Sequence, residues 1–196
     1  PSQIGNLEYE SELLNHLRAQ GFSLAPEVVA SKSGAYNLWV GDTGWTLFKW
    51  MGTESGSQRE RANRSRAQTD AQTLADIHRI RKDFSPEAER GQWPIFTLPT
   101  VNPAIWLKRA ESLADELKDE GTDLRRMSIQ SAGELGQIDF DNLPEYMCHA
   151  DYRMRNLQFE RDEITGVFDF DTSIRTTRLF DLAGAVTRFF STWWRH

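Results

Sequence analysis

The chain of 196 residues contains a single cysteine, Cys148, and four histidines. One cysteine cannot build an internal disulfide framework, and its count suits a reducing, cytoplasmic setting. Cys148 is read as a core residue rather than a nucleophile, because free cysteine is among the most buried residue types. No apolar run is long enough to span a bilayer and no secretory signal is visible, so no membrane association is expected. The greasiest stretch, Phe189-Phe190-Ser191-Thr192-Trp193-Trp194, is short. Positive charge is in deficit: 23 Lys and Arg against 29 Asp and Glu leave a net charge of −6. That balance argues against a nucleic-acid partner. Internal repeats and low-complexity tracts are missing too. A hydrophobic content of 39% and a charged content of 27% describe an ordinary globular chain, long enough for one domain or a pair of lobes.

What the chain does have is a dense motif. Cys148-His149-Ala150-Asp151-Tyr152-Arg153-Met154-Arg155-Asn156 is followed by Phe168-Asp169-Phe170-Asp171. It reads H-x-D-x-x-x-x-N, then a second acidic site thirteen residues after Asn156. In kinase-type phosphoryl transfer an Asp handles the acceptor hydroxyl, while an Asn and a second Asp hold the metal. Leu157 to Glu160 and Thr165 to Phe170 read as two short strands around a turn at Arg161-Asp162-Glu163-Ile164. Opposed residues then have numbers that sum to 325, which sets Asn156 across from Asp169 on one face. That face collects Asn156, Gln158, Val167, Asp169 and Asp171. The other collects Leu157, Phe159, Phe168 and Phe170. Clustered oxygen ligands suit Mg²⁺, which takes a few carboxylates plus phosphate oxygens and water. The bland alternative is a surface hairpin with scattered acids. H-x-D alone is common by chance; Asn156, Asp169 and a two-faced hairpin together favour the site.

Along the rest of the chain, Asn6 is expected to cap a helix that runs to about Gln20 and stops at Gly21. Its apolar stripe is Leu13, Leu14 and Leu17, and Glu10 shares that stripe. Two explanations of Glu10 stay open: a cationic partner, since an inward carboxylate is costly unpaired, or the dipole at a helix N-terminus. Val28 to Ala30, Tyr36 to Val40 and Trp45 to Trp50 read as strands, with a turn at Gly41-Asp42-Thr43-Gly44. Met51 to Ser57 is a polar, glycine-bearing connector and the expected lobe boundary. A helical region follows and ends in Leu74-Ala75-Asp76-Ile77-His78, where His78 shares an apolar face and is read as structural. Phe84 to Asn102, with three prolines, reads as loop. Ala104 to Glu120 and Arg125 to Glu134 read as helices. Asp181 is expected to cap a last helix with a stripe of Leu182, Val186, Phe189, Phe190 and Trp193.

His149-Ala150-Asp151 through Asn156, Gly166-Val167-Phe168-Asp169-Phe170-Asp171 and Phe180-Asp181-Leu182-Ala183 closely resemble the aminoglycoside phosphotransferase/choline kinase superfamily. Upstream, Glu10-Ser11-Glu12-Leu13-Leu14 is similar to that family's helix with the ion-pair glutamate. Leu47-Phe48-Lys49-Trp50-Met51-Gly52 is similar to its hinge, and Leu74 to His78 to its first C-lobe helix. The tone of the 149–151 and 165–170 segments is similar to type II homoserine kinases. The resemblance implies an α+β, protein kinase-like two-lobed fold: a truncated N-lobe in residues 1–52 and a mainly helical C-lobe in 53–196. It implies ATP and Mg²⁺ as cofactors and a small-molecule alcohol as acceptor. Asp151 would orient the acceptor hydroxyl, and Asn156, Asp169 and Asp171 would hold the metal. Arg153 would touch the transferring phosphate as a fixed fork, unless it is a surface cation balancing local acids. Glu10 would belong to the nucleotide site. Arg155 would share the task of Arg153 or pair with Asp171, His149 would brace the loop, and Asp181 would anchor it from below.

The chain also departs from that pattern. Nothing before Glu10 supplies a phosphate-covering loop or the strand lysine that pairs with the glutamate. Lys49 follows the Glu10 helix and fits the hinge better. Both ends are expected to be cut, and such a fragment should bind ATP poorly and turn over little. A non-catalytic kinase-like nucleotide-binding module is therefore the main rival. A metal-dependent hydrolase built on His149, Asp151 and Asp169 would want further histidines, and His16, His78 and His196 lack ligand spacing to the motif. The identity of the alcohol, ATP against GTP and the oligomeric state are not readable.

Overall fold

The structure, a computed structural model, describes residues 2–52, 64–80, 83–88, 112, 119–139 and 142–190. It divides into two units, Pro1–Gly91 with Glu145–His196, and Gln92–Pro144. The connector beyond Gly52, most of the two segments expected over 84–102 and 104–120, and Trp193 lie outside the described residues.

Helix α1 (Ser2–Ala19) buries Leu13, Leu14 and Leu17 as their spacing requires, together with Tyr9. Gly21 ends it in a left-handed conformation, φ +87°. The Gly21 N–H donates to the Arg18 carbonyl at 3.0 Å and the Phe22 N–H to the Leu17 carbonyl at 2.9 Å. This is the paired closure of a Schellman cap, with the following hydrophobe, Phe22, folded into the core. The start of the helix corrects the expectation: it begins at Ser2, so Asn6 lies inside it rather than capping it. Glu10 therefore sits well past the first turn, where the dipole effect has faded. Pairing is the explanation of Glu10 that remains.

Strands β1 (Asn37–Val40) and β2 (Thr43–Thr46) form a hairpin. Its turn is only Gly41-Asp42, with Gly41 at φ +59°, a two-residue connection that absorbs Thr43 and Gly44 into the strand. Trp39 lies opposite Gly44. A Cβ there would come within 2.7 Å of both the Trp39 ring and Leu7, so only glycine lets the indole lie across the strand. Asn37 ties the hairpin to α1, its Nδ2 donating to Ser11 Oγ at 2.8 Å and to the Leu7 carbonyl at 3.3 Å. The strand expected through Trp50 is split. β2 ends at Thr46, and residues 47–49 instead exchange backbone bonds with 27–29, the Val29 N–H donating to the Leu47 carbonyl and the Lys49 N–H to that of Glu27.

Helix α2 (Arg64–Ile80) turns an unusual face inward: Arg66, Asp70, Thr73, Leu74, Ile77 and His78 are all buried. In the second unit, α3 (Asp119–Leu135) starts ahead of the expected Arg125. The remaining strands make two antiparallel ribbons. β3 (Glu145–Cys148) pairs with β6 (Ile174–Thr177), and β4 (Leu157–Glu160) with β5 (Glu163–Val167). The last described element is α4 (Arg178–Phe190). The core joins α1, α2, β4, β5 and the 3₁₀ turn Phe170–Thr172 through Leu17, Ile77, Leu157, Val167 and Phe170.

Two expectations about the C-terminal half need correction. The β4–β5 turn is Arg161-Asp162, and the ladder pairs Leu157 with Val167 and Phe159 with Ile164 across a bulge. The register thus slips from the expected sum of 325, and a one-residue slip moves side chains to the other face. Val167 joins the apolar face with Leu157, and Asn156 lies across from Phe168, whose N–H donates to the Asn156 carbonyl at 2.8 Å. Asp169 is beyond the ladder altogether. In α4, Asp181 is an inward residue of the first turn rather than a cap. The face it selects carries Gly184 and Ala185, which leaves Leu182 and Val186 exposed. A buried, hydrogen-bonded carboxylate has overruled the apolar stripe.

Candidate active site

The loop from His149 to Asn156 leaves β3 and enters β4 through the 3₁₀ turn Met154–Asn156. It is built around Asp181, which is 2% exposed. The Asp181 carboxylate accepts the backbone N–H of His149 and of Ala150, each at 2.7 Å, and the Nε2–H of His78 at 2.8 Å. Burial alone would raise its pKa, but the bond from His78 and the backbone donor of His149 hold it below the ordinary carboxylate value. This double clamp forces the chain to turn sharply, and Ala150 takes a left-handed φ of +66°. A non-glycine residue there is strained and must be held by its surroundings.

His149 is fully buried and braces the loop from the other side. Its Nε2 donates to the Phe168 carbonyl at 2.9 Å. A carbonyl can only accept, so Nε2 carries the proton and Nδ1 is free to accept the Asp151 N–H at 3.4 Å. The imidazole also packs at a tilt against Phe170, with ring centroids 4.7 Å apart. Its role is therefore positional. Tyr152 anchors the next residue inward, its hydroxyl donating to the Asp70 carbonyl at 3.1 Å.

Asp151 and Asn156 meet directly. The Asn156 Nδ2 donates to the Asp151 carboxylate at 3.0 Å and to its backbone carbonyl at 2.9 Å. Arg153 forms an ion pair with the same carboxylate, and Arg155 approaches it at 3.8 Å. Arg155 thus faces Asp151, four residues back. Asp169 stands at the end of β5 in a left-handed conformation, φ +66°, exposed, and opens the 3₁₀ turn that carries half-buried Asp171. That turn packs against α1, the helix of half-buried Glu10. The loop therefore gathers Asp151, Arg153, Arg155 and Asn156, while Asp169 and Asp171 come from the neighbouring turn. Among the described residues, the group of three His, Cys, Asp or Glu ligand atoms within 4.8 Å of one another is His78, Cys148 and Asp181. It is the fully buried anchor of the loop rather than a solvent-facing metal site.

Lys49 is exposed and pairs with Glu27 at 2.9 Å, which agrees with a place outside the site. Sequence reasoning missed Asp70 and Arg66. Their signal was present: Arg66, Asp70, Leu74 and Ile77 recur at helical spacing and so share one face. Arg66 clips the β4–β5 turn by donating to Asp162 at 3.0 Å and to the Arg161 carbonyl at 2.6 Å. Asp70, beneath the loop, is pushed up to about 7 by burial, which the Arg66 charge offsets only in part.

Residues 2–196 match the model of the phosphotransferase enzyme family. The chain belongs to that family. The comparison with curated proteins gives no match. Among solved structures, the chain is similar to an aminoglycoside phosphotransferase from Alicyclobacillus acidocaldarius subsp. acidocaldarius DSM 446, with TM-score 0.67 and 18% identity over 94% of this chain and 59% of that one. It is similar to an amicoumacin kinase in complex with AMP-PNP, Ca²⁺ and Ami, with TM-score 0.64 and 15% identity over 95% of this chain and 53% of that one. A microcompartment-associated aminopropanol kinase matches with TM-score 0.57 and 20% identity over 93% and 58%. At such identities the likeness concerns the fold, which is the expected kinase-like α+β arrangement with a small N-terminal sheet. The chain spans less than two thirds of the length of each of these relatives. Among the described residues no helix is long and apolar enough to cross a membrane.

Proposed function

We propose that the protein acts in transfer of the ATP γ-phosphoryl group to the hydroxyl of a small molecule. The reading rests above all on the direct bond between Asp151 and Asn156 in a loop whose amides are clamped by a buried carboxylate. Preorganised positioning of this kind is the main protein contribution to phosphoryl transfer. Asp151 would accept or orient the acceptor proton. Arg153, held on the same carboxylate, would turn its fork to the transferring phosphate, and Glu10 would support the nucleotide side. Residues 1–52 and 53–196 would be the two sides of the ATP cleft.

Asn156, Asp169 and Asp171 would hold Mg²⁺. The fit is chemical: the Asn156 amide nitrogen is committed to Asp151, which leaves its carbonyl oxygen as the acceptor a hard cation needs. The ion would supply charge neutralisation for the phosphate oxygens. The names of the similar kinases support an acceptor that carries both amine and hydroxyl groups, homoserine-like alcohols among them. A cytoplasmic setting, where ATP is available, goes with the single reduced cysteine. The test is a phosphorylation assay of the full-length chain with ATP or GTP and Mg²⁺ against a panel of amino alcohols and aminoglycosides. Phosphorylated product from an alcohol, lost in Asp151→Ala, is expected. Calorimetric binding of ATP without turnover of any alcohol would assign a nucleotide-binding module instead.

A further inference from the structure

A cavity of about 710 Å³ opens between α1, β1 and the segment after α2. Its acids are Glu8, Asp83 and Glu87, all exposed, and its aromatic walls are Tyr36, Trp39 and Phe84. Among the described residues that line it there is no lysine or arginine. The walls are fixed: Trp39 is pinned over Gly44, and Phe84 packs edge-on against Tyr9 with centroids 5.7 Å apart. Glu12 also lines the cavity, but it is committed to the backbone N–H groups of Glu87 at 2.8 Å and Ala88 at 3.2 Å, and so holds the segment in place. On α1 the lining positions Glu8, Glu12 and Asn15 lie on the side opposite Glu10, because residues two or five positions from Glu10 fall across the helix. The cavity is thus separate from the face assigned to the nucleotide.

We propose that this cavity is a second ligand site, specific for a small organic cation that carries an apolar or aromatic body. Clefts lined by one sign of charge with apolar walls concentrate the counter-ion. Aromatic faces add attraction for an ammonium group, and the volume is that of a small-molecule site. Occupation would press on the back of the helix that carries Glu10.

The experiment is calorimetric titration of the full-length chain with phenethylammonium, and with neutral 2-phenylethanol as the comparison. Saturable binding of the ammonium compound but not the alcohol is expected. The exposed double variant Glu8→Gln/Glu87→Gln and, independently, Tyr36→Leu should each weaken it by at least ~5-fold, while Asp151→Ala leaves it unchanged. Equal binding of the alcohol, no saturable binding, or loss in Asp151→Ala would overturn the proposal. Saturation by a lysine- and arginine-rich peptide without binding of phenethylammonium would overturn it too, in favour of a protein partner. None of these readouts requires phosphoryl transfer, so the site stands or falls apart from the proposed activity.

Discussion

The loop at 149–156 and the hairpin at 37–46 invert the usual rule of polarity. The loop region buries Asp151, Asn156, His149 and Asp181, whereas the hairpin side exposes Leu38, Val40, Trp45 at 61% and Trp50 at 84%. The difference lies in partners. The central polar groups are matched: the Asp181 carboxylate takes three donors and the Asn156 amide two acceptors. Matched groups avoid most of the desolvation penalty. The outer face of the hairpin has nothing over it among the described residues, and its inner face is held by Asn37 and Trp39 against α1.

The sharpest way to break the contrast is to remove the clamp. Asp181→Ala leaves two amides and His78 without an acceptor, and should cost ~3–5 kcal/mol in a denaturant titration. Turnover should be lost with it. Asp151→Ala should keep the clamp and lower kcat of the full-length chain by at least ~10²-fold; near-normal turnover would reject the assigned role. Asp70→Asn probes the polar face of α2 that supports the loop. Because burial raises Asp70 from 3.8 to about 7, the folded chain keeps a proton that the unfolded chain releases in that window. Stability must therefore fall as pH climbs between those values. Partial solvent screening reduces the full linkage effect, so the variant should be more stable than the parent by on the order of 2 kcal/mol at about pH 8, with the gap closing toward about pH 4; a constant gap across a pH series of urea melts would contradict the assignment. On the hairpin, Trp45→Thr should move stability by no more than ~0.5 kcal/mol, and a larger loss would mean that this face is covered in the folded protein. Lys49→Met should leave turnover unchanged, since its partner is the exposed Glu27.

Much of the candidate site was legible in advance. The motif spacing named Asp151, Asn156 and Asp169, and His78, His149 and Asp181 hold the structural posts expected of them. Misreadings arose where one residue of offset matters. The residue pattern fits a four-residue β4–β5 turn, but the turn is two residues, which shifts the ladder and brings Val167 to the apolar face. Arg161 at φ +59° is the cause: arginine gives no turn signal, and its conformation is sustained by Arg66 from a distant helix. The outward turn of Leu182 and Val186 had a similar origin, because the pull of Asp181 toward the loop amides cannot be seen in a hydrophobic pattern.

By itself, then, the amino-acid order determined the local items: where α1 stops, through Gly21; which stripe of α1 is apolar; and which residues bracket the loop. Those depend on backbone freedom and on spacing, both of which are properties of neighbours in sequence. Tertiary structure alone decided the strand register, the face of α4 that turns inward, the raised pKa of Asp70 and the walls of the acidic aromatic cavity. Each of these depends on groups brought together from far along the chain, and the energy of a buried charge or a closed turn is set by the partners that arrive there.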